Sequence, residues 1–273
     1  MQRAVGAHDG LTAKLVERAG FDMIWASGFE ISASYAVPDA SILSMSQLLE
    51  RSIEIRNTVS IPVISDCDTG FGNVMNVIYM VKEYEKAGIN GVCIEDKMFP
   101  KVNSYIEGRQ PLVSIKEFVG KIEAMVDTRK SKDFMLIARV EALIAKYGMD
   151  EALKRGKAYA DAGADKILIH SKSTSYDEIY EFAYKWDKYA PLVIVPTSYP
   201  QVSVSDVEKL GVDIVIFANV CVRSSVKAMK ETLDRLYESD SLATVDKDLS
   251  AMGEVFELQG MKEFKKTEEA YLR

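Results

Sequence analysis

The stretch Ala162-Gly163-Ala164-Asp165-Lys166-Ile167-Leu168-Ile169-His170 holds a complete helix-to-strand transition. Glycine supplies the left-handed turn that ends a helix, the aspartate redirects the chain, and an apolar burst follows. The signature recurs as Ala19-Gly20-Phe21-Asp22, Ala87-Gly88-Ile89-Asn90 and Leu210-Gly211-Val212-Asp213. The bursts it introduces run over Met23–Ala26, Gly91–Ile94, Lys166–Ile169 and Ile214–Ala218. Further bursts without it lie at Ala4–Ala7, Pro62–Ser65, Phe134–Ala138 and Leu192–Val195. Continuous apolar runs mark strands buried on both faces, as in a parallel sheet. Eight strand–helix units within 1–240 point to the α/β class and a (β/α)8 TIM-type barrel. A doubly wound open sheet is the alternative, but no glycine-rich phosphate loop follows the first burst, and eight is the number that closes. Residues 241–273 read as a C-terminal helical tail, with amphipathic helices over Val245–Leu258 and Lys262–Leu272, suited to cover a barrel end or pack on a neighbouring subunit.

Composition narrows the function. The 273 residues carry 34 Lys+Arg against 41 Asp+Glu, a net charge of −7, with no basic block to track phosphates, so no nucleic-acid partner is expected. No apolar run nears the roughly 18 residues of a spanning helix, and no basic-then-apolar leader opens the chain, so no membrane partner is expected. Three cysteines without close pairing (Cys67, Cys93, Cys221) argue against a disulfide framework and for a reducing, cytoplasmic compartment. Two histidines are too few for a His-rich zinc site, so a metal here would be held by carboxylates.

Chemistry in such barrels sits at the C-terminal ends of the strands. Here these ends are polar: His8-Asp9, Trp25-Ala26-Ser27-Gly28, Asp66-Cys67-Asp68, Glu95-Asp96-Lys97, Arg139-Val140-Glu141 and His170-Ser171-Lys172. Period-two alternation pairs Ile64 with Asp66, Cys93 with Glu95, Ile137 with Arg139 and Leu168 with His170. If the first member of each pair faces the barrel core, the second members converge on the mouth. Asp66, Asp68 and Glu95 would repel one another without a cation, and hard oxygen ligands suit Mg²⁺, with Mn²⁺ possible. The competing reading has these acids capping helices or pairing with Lys97 and Lys101. Arg139 and His170 opposite them would receive a doubly charged oxyanion; alternatively Arg139 pairs with Glu141 or Glu95 and His170 is structural. Backbone N–H groups at Ser27-Gly28-Phe29 are positioned for a carboxylate or enolate oxygen. The long segment Met98–Ser114, with donors Lys101, Asn103, Ser104 and Arg109, reads as a lid or as a solvated loop. Cys93 reads as core packing, and Tyr79, Met80 and Tyr84 as a helix stripe facing the barrel.

Ile24-Trp25-Ala26-Ser27-Gly28, Asp66-Cys67-Asp68-Thr69-Gly70-Phe71-Gly72-Asn73, Glu95-Asp96-Lys97 and Ile137-Ala138-Arg139-Val140-Glu141-Ala142 together resemble the phosphoenolpyruvate mutase and phosphonopyruvate hydrolase branch of the isocitrate lyase superfamily. The carbon–carbon lyases of that superfamily carry Lys-x-Cys-Gly-His in the lid. Here Lys101-Val102-Asn103-Ser104-Tyr105 has no cysteine, which puts 2-hydroxy or 2-keto acid lyase activity behind the other readings. Glu95-Asp96-Lys97 followed by Asn103-Ser104 is similar to the mutase fingerprint, whereas the hydrolase typically has threonine at the position of Asn103. Phe29–Asp39 and Val195–Gln201 are more similar to the hydrolase. The resemblance implies Mg-dependent intramolecular phosphoryl transfer between phosphoenolpyruvate and phosphonopyruvate, with hydrolysis to pyruvate and phosphate as the alternative and a non-catalytic metabolite-binding barrel as the reading from another class. By the same resemblance Mg²⁺ sits on Asp66, with Asp39, Asp68 and Glu95 holding its waters, and Lys101 closes over the site with the lid. The substrate would touch Trp25, Ser27, Gly28, Phe29, Asn103, Ser104, Arg139 and His170. The resemblance also implies a homotetramer, a dimer of dimers with exchanged C-terminal helices.

Overall fold

The computed structural model describes residues 1–108 and 110–272. Among them eight strands, β1 (Gln2–Ala7), β2 (Met23–Ala26), β3 (Val63–Asp66), β4 (Gly91–Glu95), β5 (Met135–Val140), β6 (Lys166–Ile169), β7 (Leu192–Ile194) and β8 (Val212–Phe217), form a closed barrel in chain order. Every neighbouring pair is parallel, including β8 with β1. The helices between them are α1 (Gly10–Arg18), α2 (Gly28–Ser34), α3 (Met45–Thr58), α4 (Val74–Lys86), α5 (Ile115–Thr128), α6 (Met149–Asp161), α7 (Asp177–Trp186) and α8 (Val204–Lys209). This is the (β/α)8 barrel expected from the repeated bursts.

The repeated signature does two jobs. Gly20, Gly88, Gly163 and Gly211 all take positive φ, from 76° to 98°, and end α1, α4, α6 and α8. The polar residue two places on then closes the bottom of the preceding strand. Asp22 Oδ2 accepts the Arg3 N–H at 2.7 Å, Asn90 Oδ1 that of Val63 at 2.9 Å, Asp165 Oδ2 that of Leu136 at 2.8 Å, and Asp213 Oδ2 that of Leu192 at 2.9 Å. Strands thus enter the barrel as stapled pairs, each staple satisfying an N–H that the ladder leaves open.

Met23, Trp25, Ile64, Cys93, Ile137, Leu168, Val193 and Ile216 pack together inside the barrel. The first members of the alternating pairs therefore face inwards, and their partners two residues on emerge at the mouth. Cys93 is core, and Met80 and Tyr84 are buried along α4; Tyr79 is exposed, because only the i, i+4 pair shares the inner face.

The chain separates into two compact units, Met1–Val220 and Cys221–Arg273, a division that falls before residue 240 because α9 (Val220–Ser239) runs on as one helix. The second unit continues with α10 (Met252–Leu258) and α11 (Met261–Tyr271). The helix expected from Val245 begins only at Met252. Two short 3₁₀ turns precede it, where Arg235 Nη1 bonds Asp248 Oδ2 and Arg235 Nη2 bonds the Thr244 carbonyl, each at 2.6 Å. No helix among the described residues is long and apolar enough to cross a membrane.

Candidate active site

Asp66 and Glu95 are the last residues of β3 and β4, and Asp68 follows in a left-handed turn at φ 50°. All three are buried. Burial pushes the Asp66 carboxyl up to about 6, Asp68 and Glu95 adding to the shift while Lys101 and Arg139 oppose it. Asp68 is raised as well, by burial first and the Asp39 charge next, against the pull of Lys101. A Cβ on Gly28 would lie 3.4 Å from both Asp66 Oδ2 and Asp68 Oδ1, so the backbone after β2 comes up against the acids.

Opposite them Arg139, at the mouth end of β5, sends Nε to Glu141 Oε1 and to 3.4 Å from Glu95 Oε2, while Nη2 lies 2.8 Å from His170 Nδ1. Glu141 is a fully buried hub. Its Oε1 lies 2.7 Å from His170 Nδ1, and its Oε2 accepts from Ser104 Oγ at 2.9 Å and sits 3.2 Å from Lys97 Nζ. Burial opposes its charge, but Arg139, His170 and Lys97 hold its carboxyl well below the usual range. Burial lowers His170, and the Arg139 charge lowers it further, against the pull of Glu141. Arg139 pairs with Glu141 and Glu95, as the competing sequence reading had it, and still lines the cavity.

The segment after β4 is folded over this floor. Lys101 Nζ lies 2.9 Å from Asp39 Oδ1 and 2.7 Å from Asp68 Oδ1. Asn103 Nδ2 donates to Asp39 Oδ2 at 2.7 Å, and the Lys101 N–H donates to Ser41 Oγ at 3.1 Å. Lys97 Nζ donates to Ser104 Oγ at 2.6 Å and to the Val102 carbonyl at 3.0 Å, and Lys172 Nζ reaches the Ser104 carbonyl at 3.2 Å. Tyr105 OH meets Ser198 Oγ at 2.9 Å. Lys101 and Ser104 are buried while Val102, Tyr105 and Ile106 are exposed, so the segment turns one side to the floor and the other to solvent. Arg109 lies outside the described residues.

Trp25, Ser27, Phe29, Asp39, Asp66, Glu95, Lys101, Asn103, Ser104, Arg139 and His170, all singled out from the sequence, line one cavity with an empty volume of about 580 Å³, open solvent at its mouth included. Gly28 and Asp68 stand just behind that wall. The sequence reading missed Lys97, Tyr105, Thr197 and Asn219 in the lining and gave Glu141 no role beyond a partner for Arg139. The signal for two of these was available: Lys97 and Glu141 stand two residues beyond Glu95 and Arg139, and the same alternation turns them inwards.

The arrangement joins a buried acidic floor to a cationic wall, with the segment after β4 laid across them. Such a receptacle has the charges to receive a small multiply charged anion. The chain is 51% identical over 272 residues to phosphonopyruvate hydrolase of Variovorax sp. (strain Pal2), covering 99% of this chain and 94% of that one. The crystal structure of phosphoenolpyruvate phosphomutase from Streptomyces platensis subsp. rosaceus superposes with a TM-score of 0.99 at 47% identity, over 100% of this chain and 95% of that one. A crystal structure of phosphonopyruvate hydrolase in complex with oxalate and Mg²⁺ gives a TM-score of 0.95 at 49% identity, with the same coverages. The sequence profile described as phosphoenolpyruvate phosphomutase matches residues 1–237, and the chain belongs to that family, within the phosphoenolpyruvate mutase and isocitrate lyase superfamily.

Proposed function

We propose that the protein is a phosphoenolpyruvate mutase, interconverting phosphoenolpyruvate and phosphonopyruvate by moving the phosphoryl group between the enol oxygen and the C3 carbon of one molecule. The observation that carries this reading is Asn103, which lines the cavity from the closed segment and is bonded to Asp39. An amide there supplies a donor to the migrating group without an acidic proton or a hydroxyl that could order a water. The hydrolase is the second reading, favoured by the 51% identity with the Variovorax enzyme and by Phe29–Asp39 and Val195–Gln201.

The acidic floor fits a hard divalent cation. Glu95 Oε1 is buried with no hydrogen-bond partner, every donor is a carboxylate oxygen, and Asp66 is raised by its acidic neighbours as well as by burial. Among the described residues no three His, Cys, Asp or Glu side chains are gathered tightly enough to hold an ion by themselves. Mg²⁺ keeps several waters, and it would take Asp66 as its direct ligand, with Asp39, Asp68 and Glu95 reaching it through water. The related hydrolase was crystallised in complex with oxalate and Mg²⁺. When bound, the ion would neutralise the carboxylate and enolate end of the substrate.

The remaining work falls to the chain's own groups. The first-turn N–H groups of Gly28 and Phe29 grip the carboxylate end, the Ser27 N–H being taken by the Ala7 carbonyl at 3.1 Å, and Trp25 with Val195 packs the apolar edge. Arg139, His170, Ser104 and Asn103 surround the phosphoryl group, whose loose transition state asks for positioned charge rather than a nucleophile. Lys101 keeps the cover down by pairing with Asp39 and Asp68, so water stays out while the enolate turns its carbon past the phosphorus. The domain reading keeps residues 1–240 as the catalytic barrel and 241–273 as a tail on a neighbouring subunit, in a cytoplasmic homotetramer built as a dimer of dimers. The exposed Met252, Phe256, Phe264, Tyr271 and Leu272 of the tail support it.

Incubating phosphonopyruvate with enzyme and MgCl₂ and following ³¹P NMR tests the reaction. A phosphate-ester signal is expected. Inorganic phosphate alone would select the hydrolase, and no turnover with binding intact would select the binding protein.

A further inference from the structure

His8 directly follows β1, beside a carboxylate that the reaction does not use. Glu30, on α2, is wholly buried. Its Oε2 lies 3.2 Å from His8 Nδ1, and its Oε1 accepts the backbone N–H of Asn219 at 2.9 Å. The room for it comes from Gly6 on β1, where a Cβ would lie 1.9 Å from Glu30 Oε1. Glu30 directly follows Phe29, and its own N–H donates to Ser27 Oγ at 3.3 Å. Ser27 and Phe29 form one wall of the cavity and Asn219 another. Asn219 stands at φ 65°, and its side-chain Oδ1 is buried without a hydrogen-bond partner.

We propose that Glu30 is a positioning residue, fixing the Ser27–Phe29 wall and the Asn219 wall to each other through one buried carboxylate with His8 as its counter-charge. The consequence for substrate rests on the reading of the cavity above; the Glu30–His8 pair does not. The charged groups facing His8 are Glu30 from α2, Asp9 from its own turn and Arg51 from α3, and Thr12 Oγ1 lies 3.4 Å from Nε2. Glu54 on α3 bonds Arg51 and the Gly10 N–H beside it. The hydrogen bond to Glu30 raises His8 above the ordinary histidine value, with burial opposing and Asp9 adding. Below its titration point the pair is charge-assisted. As pH rises through that point the counter-charge is lost and the two walls are held less firmly.

Glu30→Gln keeps the shape and removes the charge. With two histidines in the chain, imidazole NMR resolves His8 and His170 directly. In Glu30→Gln the His8 titration is expected to move down. KM for phosphonopyruvate should rise about ten-fold while kcat stays within about two-fold, and the step in KM that follows His8 titration in the parent should disappear. His8→Gln should raise KM in the same direction. Gly6→Ala, whose Cβ would displace the carboxylate, should raise KM in the same direction. An unmoved His8 titration overturns the pair. A shifted titration with unchanged KM, or kcat falling in place of KM, overturns the positioning role. Failure of the parent to turn over phosphonopyruvate strikes the mutase reading and leaves the His8 result standing.

Discussion

Asn103 and Asp39 lie 64 residues apart in sequence and are joined by a 2.7 Å hydrogen bond from Nδ2 to Oδ2. Asp39 comes from the segment after α2, Asn103 from the segment after β4, and Lys101 grips the same carboxylate at 2.9 Å. Burial opposes the Asp39 charge, but Lys101 and Asn103 keep its carboxyl below the ordinary range. One ionised carboxylate thus fastens the cover by an ion pair and a directional bond together.

Replacing Asn103 with threonine removes the amide and puts a hydroxyl against the phosphoryl position. Mutase turnover in Asn103→Thr is expected to fall about a hundred-fold, with inorganic phosphate appearing as a product. The ratio of phosphate ester to phosphate in ³¹P spectra reads it. An unchanged ratio with an unchanged rate would remove Asn103 from the argument for the mutase.

Glu141 tests the cationic wall. Removing its side chain leaves Arg139 and Lys97 buried beside a carboxylate too few, and breaking such a cluster costs about 3–5 kcal/mol. Glu141→Ala should lose that much in urea unfolding, and Glu141→Gln, which still accepts hydrogen bonds, clearly less. A loss below about 1 kcal/mol in the alanine variant would mean the cluster rearranges freely.

The fold and much of the candidate site are legible from the chain, and for a physical reason. A parallel strand covered on both faces must be a short continuous apolar run, so its last polar residue announces the mouth, and period two says which way it points. Asp66, Glu95, Arg139 and His170 could be placed together on that basis. The bonds that organise them were not readable. Ser104 meets Glu141 across 37 residues and Asp39 meets Asn103 across 64, and no local pattern encodes such partners. The signature illustrates the same boundary. Its glycine could be assigned because a left-handed cap is a local property, but its aspartate or asparagine reaches back to a strand already laid down. Val245–Leu249 failed for a related reason: amphipathic spacing was present, but Arg235, on another element, holds the chain in short turns.

The staples give a stability prediction free of the active site. Asn90 Oδ1 satisfies the Val63 N–H at the start of β3. Asn90→Ala strands that donor and should cost about 1–2 kcal/mol, with kcat unchanged. Thermal unfolding measures it, and a variant as stable as the parent would show that water replaces the staple.

Asp66 gives the pH dependence. Its carboxyl rises from 3.8 to about 6 on folding, so between those values the native state holds a proton that the unfolded chain has released. Stability from this group is therefore present below pH 4 and lost as pH rises through 6, a difference of about 3 kcal/mol for a two-unit shift. Glu141 works the other way, favouring the native state above the ordinary carboxyl range and ceasing to do so in acid. The Asp66 contribution is isolated by Asp66→Asn, which should stabilise the metal-free protein at pH 8 and change it little at pH 4. A divalent cation binds the ionised acid, so MgCl₂ should raise the unfolding temperature of the parent at pH 8, less at pH 5, and not in Asp66→Asn. Equal stabilisation of parent and variant by MgCl₂ would move the ion away from Asp66. Loss of stability at pH 8 in the metal-free variant would mean that Lys101 and Arg139 outweigh burial at this carboxylate.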